Sequence, residues 1–455
     1  MSYSRSISNP AAKRIAILGA GKSGIGAAKL AQASGAKHVT IFDSGDPEKF
    51  AATTSLCTAA GWQSVFGNDA VNVAKSSAHQ YDLVVISPGL DASWPLPLAF
   101  IEADVPLVGE IEFASSQLNA PIVAITGTNG KTTTTEIVAR LFNGNGLNTV
   151  ASGNIGMALS ELVAINTPMD VVTLEVSSFQ LETILGFKPK VAIWLNFAPD
   201  HLDRYHSLNA YYEAKQKLFE NQDEADVAIM NALEPVPSGR ARKITFSSDP
   251  KRAAADFTYQ NGWIYFQGAP VLNFQNTRLR GKHNAENLMA ALAAGHEFGL
   301  SFSDMAKSVA DYTPPRHRCE LVRTWNNREF LNDSKATNLH ALESALRSLE
   351  VSQPLVLIAG GKEKGLDYAP LVDMVREKCS SVITIGQISG KLHEVWGNAV
   401  PCKGTTDVLS AVQLAAEISL PGQTILFSPG TSSFDMFSGY EERGNVFCSA
   451  VHSLI

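Results

Sequence analysis

Gly127-Thr-Asn-Gly-Lys131-Thr132 brings two glycines, a lysine and a hydroxyl together between an apolar run, Pro121-Ile-Val-Ala-Ile-Thr126, and a helix-like segment opening at Thr132 and Thr133. Backbone N–H groups of such a turn (Gly127, Thr128, Asn129, Gly130) can cradle phosphates, the lysine offsets β/γ charge, and the hydroxyl can hold Mg2+. A full phosphate loop has glycine at the position of Ile125, so the match is to GxxGKT. The plain alternative, a glycine turn with a surface lysine, does not use the strand and helix on either side. ATP is the expected triphosphate, with GTP left open.

A second glycine turn, Gly19-Ala-Gly-Lys22-Ser23-Gly24, also lies between strand and helix, and Asp43 ends the next strand. That is the context of a dinucleotide or diphosphate fingerprint, with an acid for a ribose hydroxyl. Alone it suggests a nicotinamide-dependent oxidoreductase, or a tight turn with no ligand.

Glu175 ends the run Val171-Val-Thr-Leu and could ligate the nucleotide's Mg2+. A lone strand-end glutamate is as often solvated or capping. Asp200, His201 and Asp203 follow another buried run, where a structural histidine is the usual case. Ser207 to Phe219 reads as an amphipathic helix with Tyr211, Ala214, Leu218 and Phe219 on one face, which makes Lys215 an ordinary exposed lysine.

Further along, Asn332-Asp-Ser-Lys-Ala-Thr-Asn338, Gly360-Gly-Lys-Glu-Lys-Gly365 and Ser428-Pro-Gly-Thr-Ser-Ser433-Phe434-Asp each follow a strand. Asp333 or Ser334 could simply cap a helix. Three such turns outside the carboxyl ends of strands point instead to a second substrate site.

The elements that must carry these turns are legible as short apolar runs alternating with amphipathic stretches, an α/β pattern with parallel sheets. Asn261-Gly262 between Asp256–Gln260 and Trp263–Gln267 signals a hairpin, an antiparallel excursion within the second domain. Tyr312-Thr-Pro-Pro-Arg316 reads as a linker. At roughly 150 residues per domain, 455 residues make about three. The divisions fall at 1–115 (Rossmann-like), 116–313 (phosphate-loop domain) and 314–455 (Rossmann-like).

A net charge of −7 and 45% hydrophobic residues exclude a disordered chain and a general nucleic-acid binder. The five cysteines show no CxxC pair, so neither a disulfide framework nor a zinc cluster is indicated, and a reducing cytoplasmic setting fits. Met1 to Ala12 is polar and no run of about 18 apolar residues occurs, so a soluble, unprocessed protein without membrane insertion is expected. Oligomeric state is not visibly encoded, and a monomer is the default expectation.

The order of motifs resembles the Mur ligase family of ATP-dependent amide-bond ligases over essentially the whole chain. Gly127 to Thr132, Gly153-Asn-Ile-Gly156, Glu175 to Glu182, Asp200 to Tyr205, Ala214-Lys215, Gly281 to Asn287, His317-Arg318, Asn332 to Asn338 and Ser428 to Asp435 carry the likeness. It implies that Lys131 and Thr132 hold ATP phosphates and Mg2+, and that Glu175 and His201 ligate metal. Lys215 would be carbamylated and support a second Mg2+. Asn284, Arg318 and Asp333 would contact adenosine. Lys22, Ser23, Asp43, Ser44, Gly89 and Asn154 would contact a uridine-diphosphate substrate. Lys335, Thr337, Lys364, Ser433, Phe434 and Tyr440 would lie by the incoming amino acid, with Lys362 the rival of Lys364.

The substrates so implied are UDP-N-acetylmuramoyl-L-alanine and D-glutamate, joined through an acyl phosphate. Where some members carry arginine after the equivalent of Asp43, this chain has Ser44-Gly45. The asparagine-proline-arginine motif of members that add diamino acids is absent from the third domain. The rivals are another Mur-type or folylpolyglutamate-type ligase, a nicotinamide-dependent oxidoreductase, and a nucleotide-dependent binding protein.

Overall fold

The computed structural model describes residues 10–201, 204–234, 239–251, 253–314, 316–349 and 353–454. Asp203, Pro315 of the linker and the first nine residues lie outside them.

Three α/β sheets carry the chain. In the first, β1 (Arg14–Leu18), β2 (His38–Asp43), β3 (Gln63–Phe66), β4 (Leu83–Ile86) and β5 (Leu107–Gly109) are parallel in the order β3-β2-β1-β4-β5. The order reverses between β1 and β4, so the crevice beyond their carboxyl ends is the switch point at which such sheets bind ligands. The helix Lys22–Ala33 returns from β1.

The second sheet has β6 (Ile122–Thr126), β7 (Ala151–Gly153), β8 (Val172–Glu175), β9 (Val191–Trp194), β10 (Val227–Asn231), β11 (Arg242–Ser247), β12 (Phe257–Gln260), β13 (Trp263–Phe266) and β14 (Ala269–Asn273). Their order is β14-β13-β12-β11-β10-β9-β6-β8-β7. β6 and its neighbours β8 and β9 are buried throughout, which is why, Glu175 at the end of β8 apart, their sequences are apolar or β-branched runs. The Asn-Gly turn has φ of 49° and 81°, and β12 pairs antiparallel with β13 as expected. The excursion is the edge of this same sheet, because β12 pairs parallel with β11.

The third sheet runs β15-β16-β20-β17-β18-β19, from β15 (Glu320–Trp325), β16 (Arg328–Asn332), β17 (Leu355–Gly360), β18 (Cys379–Ile385), β19 (Cys402–Gly404) and β20 (Thr424–Phe427). β15 is antiparallel to β16 and the rest are parallel. The fold is thus mixed α/β with mostly parallel sheets, as the sequence indicates.

By packing, the chain divides into two compact units. One takes the described residues up to Phe197 with 201–273 and 286–310, and the other takes 198–200, 274–285 and those from Asp311 on. No described helix is long and apolar enough to cross a membrane.

Candidate active site

From β6 the chain turns through Gly127 and Gly130, at φ 149° and 84°. A Cβ on Gly130 would lie 2.3 Å from Asn287 Oδ1, so glycine is required there for conformation and for space. Asn196, just beyond β9, splints the turn. Its side-chain oxygen accepts from Asn129 N at 2.8 Å, its amide donates to Asn129 O at 3.0 Å, and its carbonyl accepts from Thr128 N at 3.0 Å.

Lys131 opens the helix Lys131–Gly144, with Thr132 and Thr133 beside it in the first turn, and curls back to donate to Gly127 O and Thr128 O, both at 2.9 Å. Lys215 Nζ, from the helix Leu208–Gln216, donates to the same Gly127 carbonyl at 2.9 Å. Lys215 is 1% exposed, which corrects its reading as a surface lysine. The physical reason is helical: one turn beyond Tyr211, it shares that residue's inward face. The Tyr211 ring lies 4.8 Å from the Lys215 ammonium, and its hydroxyl is 3.3 Å from Thr128 Oγ1.

Glu175 is in reach of this turn, since β8 pairs with β6 and sets Glu175 opposite Ile125. It is 2% exposed and neither solvated nor a cap. Oε1 accepts from Asn154 Nδ2 at 2.8 Å, while Oε2 is buried with no hydrogen-bond partner among the described residues. An orphaned carboxylate oxygen is costly unless a cation meets it, and a carboxylate and a hydroxyl such as that of Thr132 are hard oxygen donors of the kind that suit Mg2+. His201 is exposed, at φ 54°, with its ring edge-on to Phe179 at 4.8 Å and to Tyr211 at 5.8 Å.

On the first sheet, Gly24 is required because a Cβ there would fall 1.8 Å from Gly19 O. Asp43 spans two turns, accepting from Ala20 N and Gly45 N, each at 2.8 Å. Lys22 and Ser23 open the helix after β1, Ser44 follows Asp43, and Gly89 lies in the turn after β4. All of them stand at strand carboxyl ends around the switch point.

On the third sheet, β16, β20 and β17 are neighbours, so the three chemistry-bearing turns lie side by side. Gly430 N donates to Ala336 O at 2.9 Å, Lys362 N to Ser432 O at 2.9 Å, and Thr431 Oγ1 to Lys362 O at 2.7 Å. The cap of the helix Leu339–Ser348 is Asn338, which leaves Asp333 and Ser334 for other work. Asp333 accepts from Ser428 Oγ at 2.7 Å and Cys319 N at 3.2 Å. Burial pushes its carboxyl up to about 7, against the pull of those hydrogen bonds and of the Arg318 charge.

Lys335 Nζ sits 3.6 Å from the centre of the Tyr440 ring, and Thr337 N donates to Lys335 O. Ser433 is buried, Phe434 is 65% exposed, and Lys362 and Lys364 both reach solvent. Asn284 donates to Arg280 O at 2.8 Å.

Arg443 belongs to none of the motifs read from the sequence. It is 1% exposed and donates to Ser334 Oγ, Ser334 O and Thr431 O at 3.0, 2.8 and 3.1 Å, joining two of these turns. In the sequence Tyr211 is legible only as a residue of an apolar face, and the splinting role of Asn196 is not legible at all.

A phosphate turn on one sheet and a separate cluster of polar turns on another divide the work as an enzyme does that uses ATP to join two substrates by an amide bond. Comparison with known proteins agrees. Residues 125–295 match the Mur ligase middle domain, and residues 317–430 the Mur ligase, glutamate ligase domain. The chain is 38% identical over 454 residues to the UDP-N-acetylmuramoylalanine--D-glutamate ligase of Pelobacter propionicus, covering 97% of this chain and 99% of the relative. It is 38% identical over 452 residues to that of Geobacter metallireducens, covering 97% and 98%.

Among solved structures it resembles the UDP-N-acetylmuramate-alanine ligase MurC of Thermotoga maritima, at 18% identity and a TM-score of 0.58, over 97% of this chain and 99% of that one. The MurF ligase of the same organism, solved with ADP, is similar at 14% identity and a TM-score of 0.60, over 98% and 99%. These two show the shared fold. The chain belongs to the Mur ligase family and is an ATP-dependent, amide-bond-forming ligase, which sets the oxidoreductase aside.

Proposed function

We propose that this enzyme joins D-glutamate to UDP-N-acetylmuramoyl-L-alanine, in the cytoplasm and as a monomer, during synthesis of peptidoglycan precursors. The observation that carries the reading is the convergence of Lys131 and Lys215 on one carbonyl, Gly127 O. A glycine turn at Gly127 to Gly130 closed by the Lys131 ammonium suits a triphosphate, and Lys215, carbamylated or not, keeps an N–H for Gly127 O. The 38% identity to ligases named for D-glutamate selects the substrates.

In this reading the alanyl carboxylate attacks the γ-phosphorus, ADP leaves, and the D-glutamate amine attacks the resulting acyl phosphate with loss of phosphate. Thr132, Glu175, His201 and a carbamylated Lys215 hold two Mg2+ ions. When bound, the ions neutralise charge on the transferring phosphoryl group. Lys131 steadies the phosphates and Thr133 supports the turn. Asn284, Arg318 and Asp333 take adenosine. Lys22, Ser23, Asp43, Ser44, Gly89 and Asn154 take the uridine substrate. Lys335, Thr337, Lys364, Ser433, Phe434 and Tyr440 take the amino acid. Domains at 1–115, 116–313 and 314–455 each bring one substrate, and catalysis is mainly positioning and electrostatics.

The test is ADP release with UDP-N-acetylmuramoyl-L-alanine and Mg2+, comparing D-glutamate, L-glutamate, L-alanine and no amino acid, with product masses recorded. A product that needs D-glutamate is expected. ATP binding without such a product would overturn the substrate reading and favour another Mur-type or a folylpolyglutamate-type ligase.

A further inference from the structure

Arg204 touches elements to which the proposed roles are assigned separately. Its Nη2 donates to Glu182 Oε2 at 2.6 Å, at the end of the helix Ser178–Leu181 that continues the chain from Glu175. The same nitrogen donates to Leu90 O at 3.2 Å, next to Gly89 in the turn after β4. Its guanidinium carbon lies 4.6 Å over the Phe179 ring, against which the His201 ring packs edge-on at 4.8 Å. Arg204 N and Tyr205 N both donate to His201 O at 3.0 Å, which ties Arg204 directly to His201.

Only 13% of the Arg204 side chain is exposed, and its partner carboxylate is 26% exposed. A charge-assisted pair shielded to this degree is stronger than a surface ion pair and directional. Nothing in the proposed chemistry uses Arg204 directly, yet a carbonyl of the first sheet's turn and a carboxylate of the second sheet's helix share one of its nitrogens.

We propose that Arg204 is a positioning residue that fixes the substrate turn at Gly89 relative to the His201 turn and the Glu175-led helix. This rests on the uridine-substrate reading of Gly89 and on the metal reading of His201. A substrate held at its uridine end presents its distal carboxylate to the phosphoryl group only if the spacing of those turns is set. A planar guanidinium held over Phe179 sets it, with donors left to bridge, whereas an ammonium offers no planar fork for both tasks.

The experiment compares the wild type with Arg204→Met, Arg204→Lys and Glu182→Gln. Affinity for UDP-N-acetylmuramoyl-L-alanine is titrated by calorimetry without ATP or Mg2+, and KM for each substrate, kcat and Tm are measured. Arg204→Met is expected to weaken that affinity and raise that KM about 10-fold, the scale of one charged hydrogen bond, with ATP KM unchanged. Lysine should recover less than half of the loss, and Glu182→Gln should show the same pattern, smaller.

Unchanged affinity for the uridine substrate in Arg204→Met would overturn the proposal. So would parallel losses for both substrates with a fallen Tm, which would make Arg204 a general support of the fold. If Arg204→Met does not fold, Glu182→Gln decides by the same criteria. A wild type that fails to bind the uridine substrate overturns the functional reading and the proposal together; a wild type that binds, with an indifferent Arg204→Met, overturns the proposal alone.

Discussion

The phosphate turn after β6 and the triple turn of the third sheet are both polar sites at strand carboxyl ends, but they are built differently. The first is six consecutive residues whose shape is set by two glycines and one splinting asparagine. The second gathers turns from Asp333, Gly361 and Ser428 onward, riveted by a buried arginine and a buried aspartate. A contiguous turn keeps its form when a reacting side chain is removed, because backbone restriction holds it. A discontiguous one depends on its buried charges, so its failures register first as lost stability.

The largest effect that tests this contrast is Lys131→Ala. ADP formation should fall by about 10³-fold or more, as when a main electrostatic contributor to phosphoryl transfer is removed. Tm should stay within a few degrees, since the Lys131 bonds to Gly127 O and Thr128 O lie within its own turn. Retained turnover would remove the phosphate-turn assignment, and a collapsed Tm would break the comparison. Arg443→Met is the mirror experiment. It leaves Ser334 O and Thr431 O without their donor and should cost about 3 kcal/mol of stability in the unit containing the third sheet. A calorimetric scan checks this, and the first unit's transition should not move.

Legibility in the sequence follows the same division. The strands showed because burial on both faces demands apolar, β-branched runs, and the phosphate turn showed because its chemistry and conformation lie in adjacent letters. Lys215 was misread because a charged side chain is ordinarily assigned to water, although its i+4 spacing from Tyr211 already placed it inward. Arg443 could not be found, since its partners Ser334 and Thr431 are distant in the chain or unremarkable in type. β15 was missed for a related reason: Glu320 to Trp325 alternates weakly and is only half buried, leaving no clean period to read.

Within the third-sheet site, Lys364 and Lys362 are separated by one residue and both are exposed, so geometry does not choose between them. Lys364→Ala should raise KM for D-glutamate about 10- to 30-fold, the loss of one charge-assisted contact, with ATP KM unchanged. An unchanged D-glutamate KM, with the effect appearing in Lys362→Ala, would move the carboxylate contact two residues and sharpen the comparison. Here, too, the site is defined by its turns before it is defined by any one letter.

The smallest effect concerns the aspartate that helps to hold those turns. Burial raises the Asp333 carboxyl to about 7, whereas in the unfolded chain it titrates at about 4. Between these values the folded protein keeps a proton that the unfolded one has released, so raising the pH favours unfolding. Asp333 therefore contributes stability that is fully present below about pH 4 and is lost as pH rises through about 7, at no more than about 1.4 kcal/mol per pH unit for one proton. Asp333→Asn, neutral at every pH, removes that slope. The Tm of the variant minus that of the wild type should rise between pH 5 and about 7 and then level off. Glu234, also raised to about 7 by burial, titrates in both proteins and cancels in the difference. A flat difference would mean that Asp333 is ionised in the folded state across this range, with Ser428, Cys319 N and Arg318 outweighing burial. The turns of the third sheet would then be held by a compensated charge, as Arg443 is, and the contrast with the uncharged splint of the phosphate turn would be sharper still.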